Sequence, residues 1–297
     1  MSILLHSMSG IFYALEFASK ELAKGIGMKK RLTKALNKGQ SPLIHSFSTF
    51  NRYMGVSKQF VQYCKESGVN KIFKINETIV MNYFNERKIA YNLSEKTIKV
   101  NLCALEKFFK TIGRKDLADI LRKRFAEIYS SGSAPGRTEY FGNPEQVIKN
   151  LKDEAHRRIA GLQYLTGGRI GDVKKIKTNM LFKQVIIPKS KGGKNRVLDY
   201  SDREQALQRI DKLCVELEAD IIQRGWQSLR LGYYTDLRQA VQRSGEIYSG
   251  AHAFRASYAR ERREELIDRG LSEKEADKIV SEELGHVRVS MGRYYSS

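Results

Sequence analysis

The sequence predicts a mainly α-helical protein in two parts, with a small β-sheet or hairpin in the second part. Three observations carry that prediction. Apolar residues recur at three- and four-residue steps along most of the chain. Two β-branched runs, Val185-Ile186-Ile187 and Val197-Leu198, bracket Gly192-Gly193 as the strands of a hairpin would. One Gly/Ser/Pro cluster, Ser130-Ser131-Gly132-Ser133-Ala134-Pro135-Gly136, has the composition of a flexible linker.

In chain order, residues 1–40 read as a basic helical extension. Residues 41–128 read as a helical domain, 129–137 as the linker and 138–297 as a second domain. Phe47, Phe50, Met54, Val61 and Cys64 line one face of a helix that stops before Gly68. Asn76 is placed to cap a segment holding Ile79, Val80, Tyr83 and Phe84. Ser94 is placed to cap another, through Ile98, Leu102, Leu105 and Phe108-Phe109 to Gly113. In the second domain Asn143-Pro144-Glu145-Gln146 is a helix start, with proline in the first turn. Val147, Leu151, Ile159, Leu162 and Leu165 continue that helix until Gly167-Gly168 ends it. After the hairpin come helices over 206–221, after His252, and from Ser272, where Glu275 completes a capping box.

The charge is lopsided. There are 53 Lys+Arg against 33 Asp+Glu, a net +20, over 297 residues. Residues 1–125 hold 23 basic and 9 acidic side chains, so the first part carries +14 and the remainder +6. Solubility alone asks for a net charge of only about 2–8 in a small domain, so a surplus of this size points to a polyanion such as nucleic acid. Lys96, Lys99, Lys107 and Lys110 lie off the apolar stripe of their helix, either as a solvated face or as contacts to a DNA backbone. The three cysteines (Cys64, Cys103, Cys214) form no C-x-x-C pair, so neither a disulfide framework nor a zinc site is indicated and a cytoplasmic setting is the default. No secretory leader and no membrane span is read at the N-terminus.

The last 130 positions hold the residues with chemistry. Arg169 follows Thr166-Gly167-Gly168, and Lys191 and Lys194 flank the hairpin turn. His252 and Arg255 lie three residues apart on one helical face. His286 follows Leu284-Gly285, and Tyr295 stands nine residues beyond it, beside Tyr294. Each signal taken alone also fits a bland role: a surface arginine, a solvated basic turn, an exposed terminal Tyr-Tyr. Together they are the groups that phosphodiester cleavage needs without a metal. Two guanidinium forks brace a pentavalent phosphorus, a lysine and a histidine move protons, and a tyrosine attacks.

In order and spacing these strings resemble the tyrosine recombinase (phage integrase) family. The strings are Leu165-Thr166-Gly167-Gly168-Arg169, Lys191-Gly192-Gly193-Lys194-Asn195-Arg196, His252-Ala253-Phe254-Arg255 and Leu284-Gly285-His286, with Tyr295 beyond them. The resemblance covers residues 140–297, and more loosely 45–125, which look like the family's core DNA-binding domain. The stretch from Gly270 to His286 looks more like mobile-element integrases than the chromosome-dimer resolving type.

The resemblance implies a two-domain clamp on duplex DNA that cuts and rejoins strands through a 3′-phosphotyrosine. Four protomers on two paired sites would exchange strands through a Holliday junction. Arg169 and Arg255 would bind the scissile phosphate, Lys191 (or else Lys194) would protonate the leaving 5′ oxygen, and His252 would take the nucleophile's proton. His286 would hydrogen-bond the phosphate and Tyr295 would attack, with Tyr294 the alternative. No metal and no nucleotide cofactor is implied, and accessory directionality or DNA-bending proteins are the expected partners. Only Ser296-Ser297 follow the tyrosine pair, where many members carry a further helix. The competing functions are a type IB topoisomerase, an inactive DNA-binding scaffold and a basic helical binder.

Overall fold

The structure, a computed structural model, describes residues 10–37, 41–130, 140–190 and 193–285. It is mainly helical with one small antiparallel sheet, as the sequence predicts. The chain divides into two compact units, Met1–Ala134 and Pro135–Ser297. Among the described residues no helix is long and apolar enough to cross a membrane.

Unit 1 consists of α1 (Ile11–Ala23), α2 (Lys30–Leu36), α3 (Phe47–Glu66), a 3-10 turn (Ile72–Lys74), α4 (Glu77–Tyr91), α5 (Glu95–Thr111) and α6 (Lys115–Ser130). Its helix starts are written in side chains. Ser46, Asn76 and Ser94 each accept a hydrogen bond from the backbone N–H three residues on, satisfying a donor that the first turn cannot. Phe60 packs edge-on against Tyr83 and Phe109 at the centre of the core. From the predicted stripe of α3, Met54, Val61 and Cys64 are buried, whereas Phe47 in its first turn is exposed. Ile11, Ala14 and Ala18 of α1 join the same buried cluster as Phe60.

Unit 2 holds α7 (Pro144–Lys149), α8 (Glu154–Thr166), a single turn α9 (Ile170–Val173), β1 (Lys177–Asn179), β2 (Gln184–Ile187) and β3 (Arg196–Asp199). Helices α10 (Glu204–Arg224), α11 (Trp226–Arg243), α12 (His252–Asp268) and α13 (Glu273–Glu283) follow. The strands pair antiparallel in the order β1-β2-β3, with Val185 opposite Leu198 and Ile187 opposite Arg196. Val185, Ile187 and Leu198 are fully buried.

Two elements depart from the sequence expectation, and β1 and α11 carry no clear signal in the sequence. The helix expected to run from Asn143 to Leu165 is broken into α7 and α8. Asp153 starts α8 anew by accepting from Ala155 N at 2.9 Å. The Asp236 carboxylate, from α11, takes the N–H groups of Lys152 and Asp153 that the break sets free. The hairpin strands also extend past the apolar runs that signalled them, so that Arg196 rather than Val197 opens β3.

Helix α8 is the axis of unit 2. Ala155, Ile159, Ala160 and Leu162 are buried, and α10, α11 and α12 all pack on it. Fully burying one such Ile or Leu contributes about 1.5–3 kcal/mol, so the helix is fixed chiefly by packing. His156 Nδ1 donates to Asp236 at 2.9 Å, tying the first turn of α8 to α11.

Asp153 joins a second tie, accepting from Arg224 Nη1 and Nη2 at 3.0 and 2.6 Å. Those bonds hold its carboxyl down to about 2 from the ordinary 3.8. A depressed folded-state pKa gives stability that is present above the unfolded value and lost as pH falls through the folded one. Thermal melts of Arg224→Ala are therefore expected to fall below wild type by a constant margin above about pH 4, closing towards pH 2. A margin that stays the same down to pH 2 would show that Arg224 acts otherwise.

Candidate active site

The last carbonyls of an α-helix have no partner inside it. At the end of α8 those groups and the two carbonyls just beyond are taken by side chains of β3 and its end, of α12 and of α8 itself. Leu165 O accepts from Tyr200 Oη, and Thr166 O from Arg196 Nη2 at 2.8 Å. Gly167 O accepts from Arg255 Nη1, and Gly168 O from Gln163 Nε2 at 3.4 Å. Cationic donors suit this position doubly, because the helix dipole places partial negative charge there.

The same two arginines reach a second helix end. Arg196 Nε donates to Glu283 O at 2.7 Å, and Arg255 Nη2 donates to Leu284 O at 2.6 Å. Two consecutive carbonyls of one turn are thus stapled to two consecutive carbonyls of the other. The Glu283 side chain is held as well, accepting from Tyr258 Oη at 2.7 Å and from Arg262 Nε at 3.3 Å.

Beside this staple stands Arg169, which is 23% exposed where Arg255 is 0%. Its backbone N–H donates to Asp172 Oδ2, closing a one-turn capping box. Its Nη1 lies 3.4 Å from Ser190 Oγ, and Ser190 donates in turn to Asp172 Oδ2 at 2.9 Å. Ser190 and Asp172 are both buried. The base of the hairpin is therefore docked on the Arg169 turn, one residue before position 191. His252 opens α12 and is exposed, and the carbonyl just before it, on Ala251, accepts from Gln163 Nε2 at 3.3 Å. Gln163 is oriented by Tyr233, whose Oη donates to its Oε1 at 3.0 Å.

Of the residues singled out from sequence, the structure brings together Arg169, Arg255, the base of the hairpin and the turn before position 286. Lys194 is exposed on the hairpin. Lys191, His286, Tyr294 and Tyr295 lie outside the described residues. Lys96 and Lys110 of unit 1 are exposed, the latter paired to Glu106 at 2.6 Å, and Lys99 is half-buried. Lys107 is turned inward, donating to Ser41 O and Leu43 O at 2.6 and 3.2 Å. Burial, with Lys110 and Lys30 nearby, lowers its pKa.

Sequence reasoning passes over Ser190, Gln163 and Arg196. One signal for Arg196 is present: it shares strand parity with the buried Leu198 and Tyr200, while Val197 points to solvent.

Other nucleophiles are weak here. Burial pushes the Cys64 and Cys214 thiols up to about 12 and raises that of Cys103. A thiol so raised carries little thiolate at neutral pH. Tyr200 and Tyr258, which bond within the staple, are likewise raised by burial and already donate to Leu165 O and Glu283. Among the described residues no cluster of His, Cys, Asp and Glu has the arrangement of a metal site.

Gly167, with φ +56°, is closely packed at the staple. A Cβ there would sit 2.6 Å from Tyr258 Cδ1 and 2.8 Å from Leu284 Cδ2. Left-handed strain and overpacking together put the expected cost of Gly167→Ala at about 2–4 kcal/mol in denaturant unfolding. Gly171→Ala, where a Cβ meets nothing within 4 Å, is the control and is expected to shift stability by less than about 1 kcal/mol. Equal effects at the two positions would contradict the packing account.

No family model matches the chain, and no curated protein does. Among solved structures it is similar to a XerA recombinase, at 15% identity over 90% of this chain and 92% of that one, with a TM-score of 0.39. With a likeness that slight, the chemistry is to be read from the site itself.

Proposed function

We propose that this protein is a tyrosine-type site-specific DNA recombinase of the integrase kind, cutting and rejoining duplex DNA without metal or nucleotide. One observation carries the proposal. Segments up to about 120 residues apart in sequence, each marked by its residue types, meet at a single pair of helix ends. Net charge supports the substrate, since +20 with most of the surplus in residues 1–125 favours a polyanion.

In the proposed reaction the partly exposed Arg169 takes a non-bridging oxygen of the scissile phosphate. Arg255 lies in the floor behind it, where a buried guanidinium acts on developing negative charge with little solvent screening. The Tyr295 oxygen attacks phosphorus while His252 accepts its proton and His286 donates a hydrogen bond to the phosphate. The bond to the 5′ oxygen breaks as Lys191 protonates it. A 3′-phosphotyrosine and a free 5′ hydroxyl result, and the bond energy is kept for resealing. Attack by a 5′ hydroxyl from a second site reverses the step and exchanges strands. A tetramer on two paired sites, with accessory directionality or bending proteins, is the assembly this requires.

Covalent trapping tests the chemistry. Wild type, Tyr295→Phe and Tyr294→Phe are incubated with plasmid carrying the DNA that flanks the gene, then denatured in detergent. A protein–DNA adduct lost only with Tyr295→Phe is expected. No adduct on DNA that the protein demonstrably binds would leave a DNA-binding protein, and relaxation without strand exchange would leave a topoisomerase.

The two arginines should separate. Arg169→Ala is expected to abolish the adduct while thermal stability and DNA affinity stay close to wild type. Arg255→Ala is expected to lose the adduct and also about 2–5 kcal/mol of stability, since two buried carbonyls lose their donor. Affinity should fall with salt, with a log–log slope of about −0.9 per neutralised phosphate. A complex indifferent to salt would contradict backbone binding.

A further inference from the structure

We propose that Arg196 is a positioning residue, setting the register of the β2–β3 hairpin, and so of the lysine on it, against the two turns that flank the phosphate site. The inference rests on the recombinase proposal and adds to it a residue that touches no DNA. Arg196 is 4% exposed, and its Nε and Nη2 are both engaged by backbone carbonyls.

Its contacts span three segments. It opens β3 and pairs with Ile187 across the hairpin. Its Nη2 holds Thr166 O at 2.8 Å, three residues before Arg169. Its Nε holds Glu283 O at 2.7 Å, and its stem runs beneath Gly285. A Cβ on Gly285, whose φ is +69°, would lie 3.1 Å from Arg196 Cγ and Cδ, so the turn and the arginine are fitted to each other. Ser190, bonded to Asp172 and Arg169, fixes the other strand of the same hairpin. Position 191 follows Ser190 directly in the sequence.

Stability alone does not account for an arginine here. Burial lowers its pKa, and Nη1 is buried with no hydrogen-bond partner among the described residues. A buried cation with an unmet donor is costly, so the burial of Arg196 offsets part of what its two hydrogen bonds contribute. What the arginine supplies is a rigid planar fork that bonds two carbonyls of different helices at a fixed separation. Lysine keeps the charge and loses that geometry. A displacement of about 1 Å at a general acid can cost about 100-fold in rate.

The test separates positioning of the acid from damage to the fold. Wild type, Lys191→Ala, Arg196→Lys and Arg196→Met are compared on a site DNA with the ordinary 5′ oxygen and on one with sulfur at that bridging position. A thiolate departs without protonation, so sulfur bypasses the general acid. On the oxygen substrate Arg196→Lys is expected to slow adduct formation about 10- to 100-fold, with DNA affinity within about threefold of wild type. On the sulfur substrate that deficit should shrink to less than threefold, in step with Lys191→Ala. Arg196→Met, which removes the whole fork and leaves Thr166 O and Glu283 O without that donor, is assayed below its melting temperature as a second variant and is expected to show the same rescue.

Equal deficits on both substrates, or no deficit on either, would overturn the assignment. If Lys191→Ala shows no oxygen-specific defect while Arg196→Lys does, the identity of the acid is wrong and the role of Arg196 stands. A wild-type protein that forms no adduct on either substrate removes the recombinase proposal and this inference with it.

Discussion

The carbonyls that a helix cannot satisfy at its own C-terminus govern this structure. Helix α8 runs through the middle of unit 2, so its end is buried, and buried carbonyls without donors would cost several kcal/mol together. Arg196 and Tyr200 on and just after β3, Arg255 on α12, and Gln163 within α8 itself answer that need. Each has to lie where a carbonyl points, so the helix end fixes the hairpin, α12 and the end of α13 relative to one another. His252 and Arg255 lie on α12, and Arg169 follows Gly167-Gly168 at the end of α8.

The division between the two arginines follows from this. Arg255 is inside the scaffold and joins two helix ends, while Arg169 is at the edge with part of its guanidinium in solvent. Asp172 and Ser190 orient Arg169 without enclosing it. In unit 1 a similar distinction separates Lys107, which serves two backbone carbonyls, from Lys96, which faces solvent. Net charge counts both kinds of cation alike. Burial and hydrogen bonding tell which of them are already engaged within the protein.

What the sequence discloses is local. Ser46, Asn76, Ser94, Asn143 and the Ser272/Glu275 box act over three residues, and all but Ser46 are legible as helix starts from residue type and spacing. The break between α7 and α8 is not legible in this way, because it is stabilised by Asp236, more than 80 residues away. Helix α11 is hidden by Gly232 within it and by exposed Leu231 and Tyr234, which blur its apolar stripe. In the site, Arg169, His252 and Arg255 are recognisable by type and order. Gln163, Ser190 and Arg196 are not, because the groups they bond, backbone carbonyls for Gln163 and Arg196 and the Asp172 and Arg169 side chains for Ser190, are brought near only by folding.

That choice of partner has an evolutionary consequence. A salt bridge between two side chains can be broken by a substitution at either end. A brace between a side chain and a peptide carbonyl has one end that no substitution removes. Leu165, Thr166 and Leu284 present their carbonyls whatever side chains they carry, so the surroundings of the site are free to drift while its geometry is kept. Constraint falls instead on a few donors and on Gly167, where the absence of a side chain is itself the requirement.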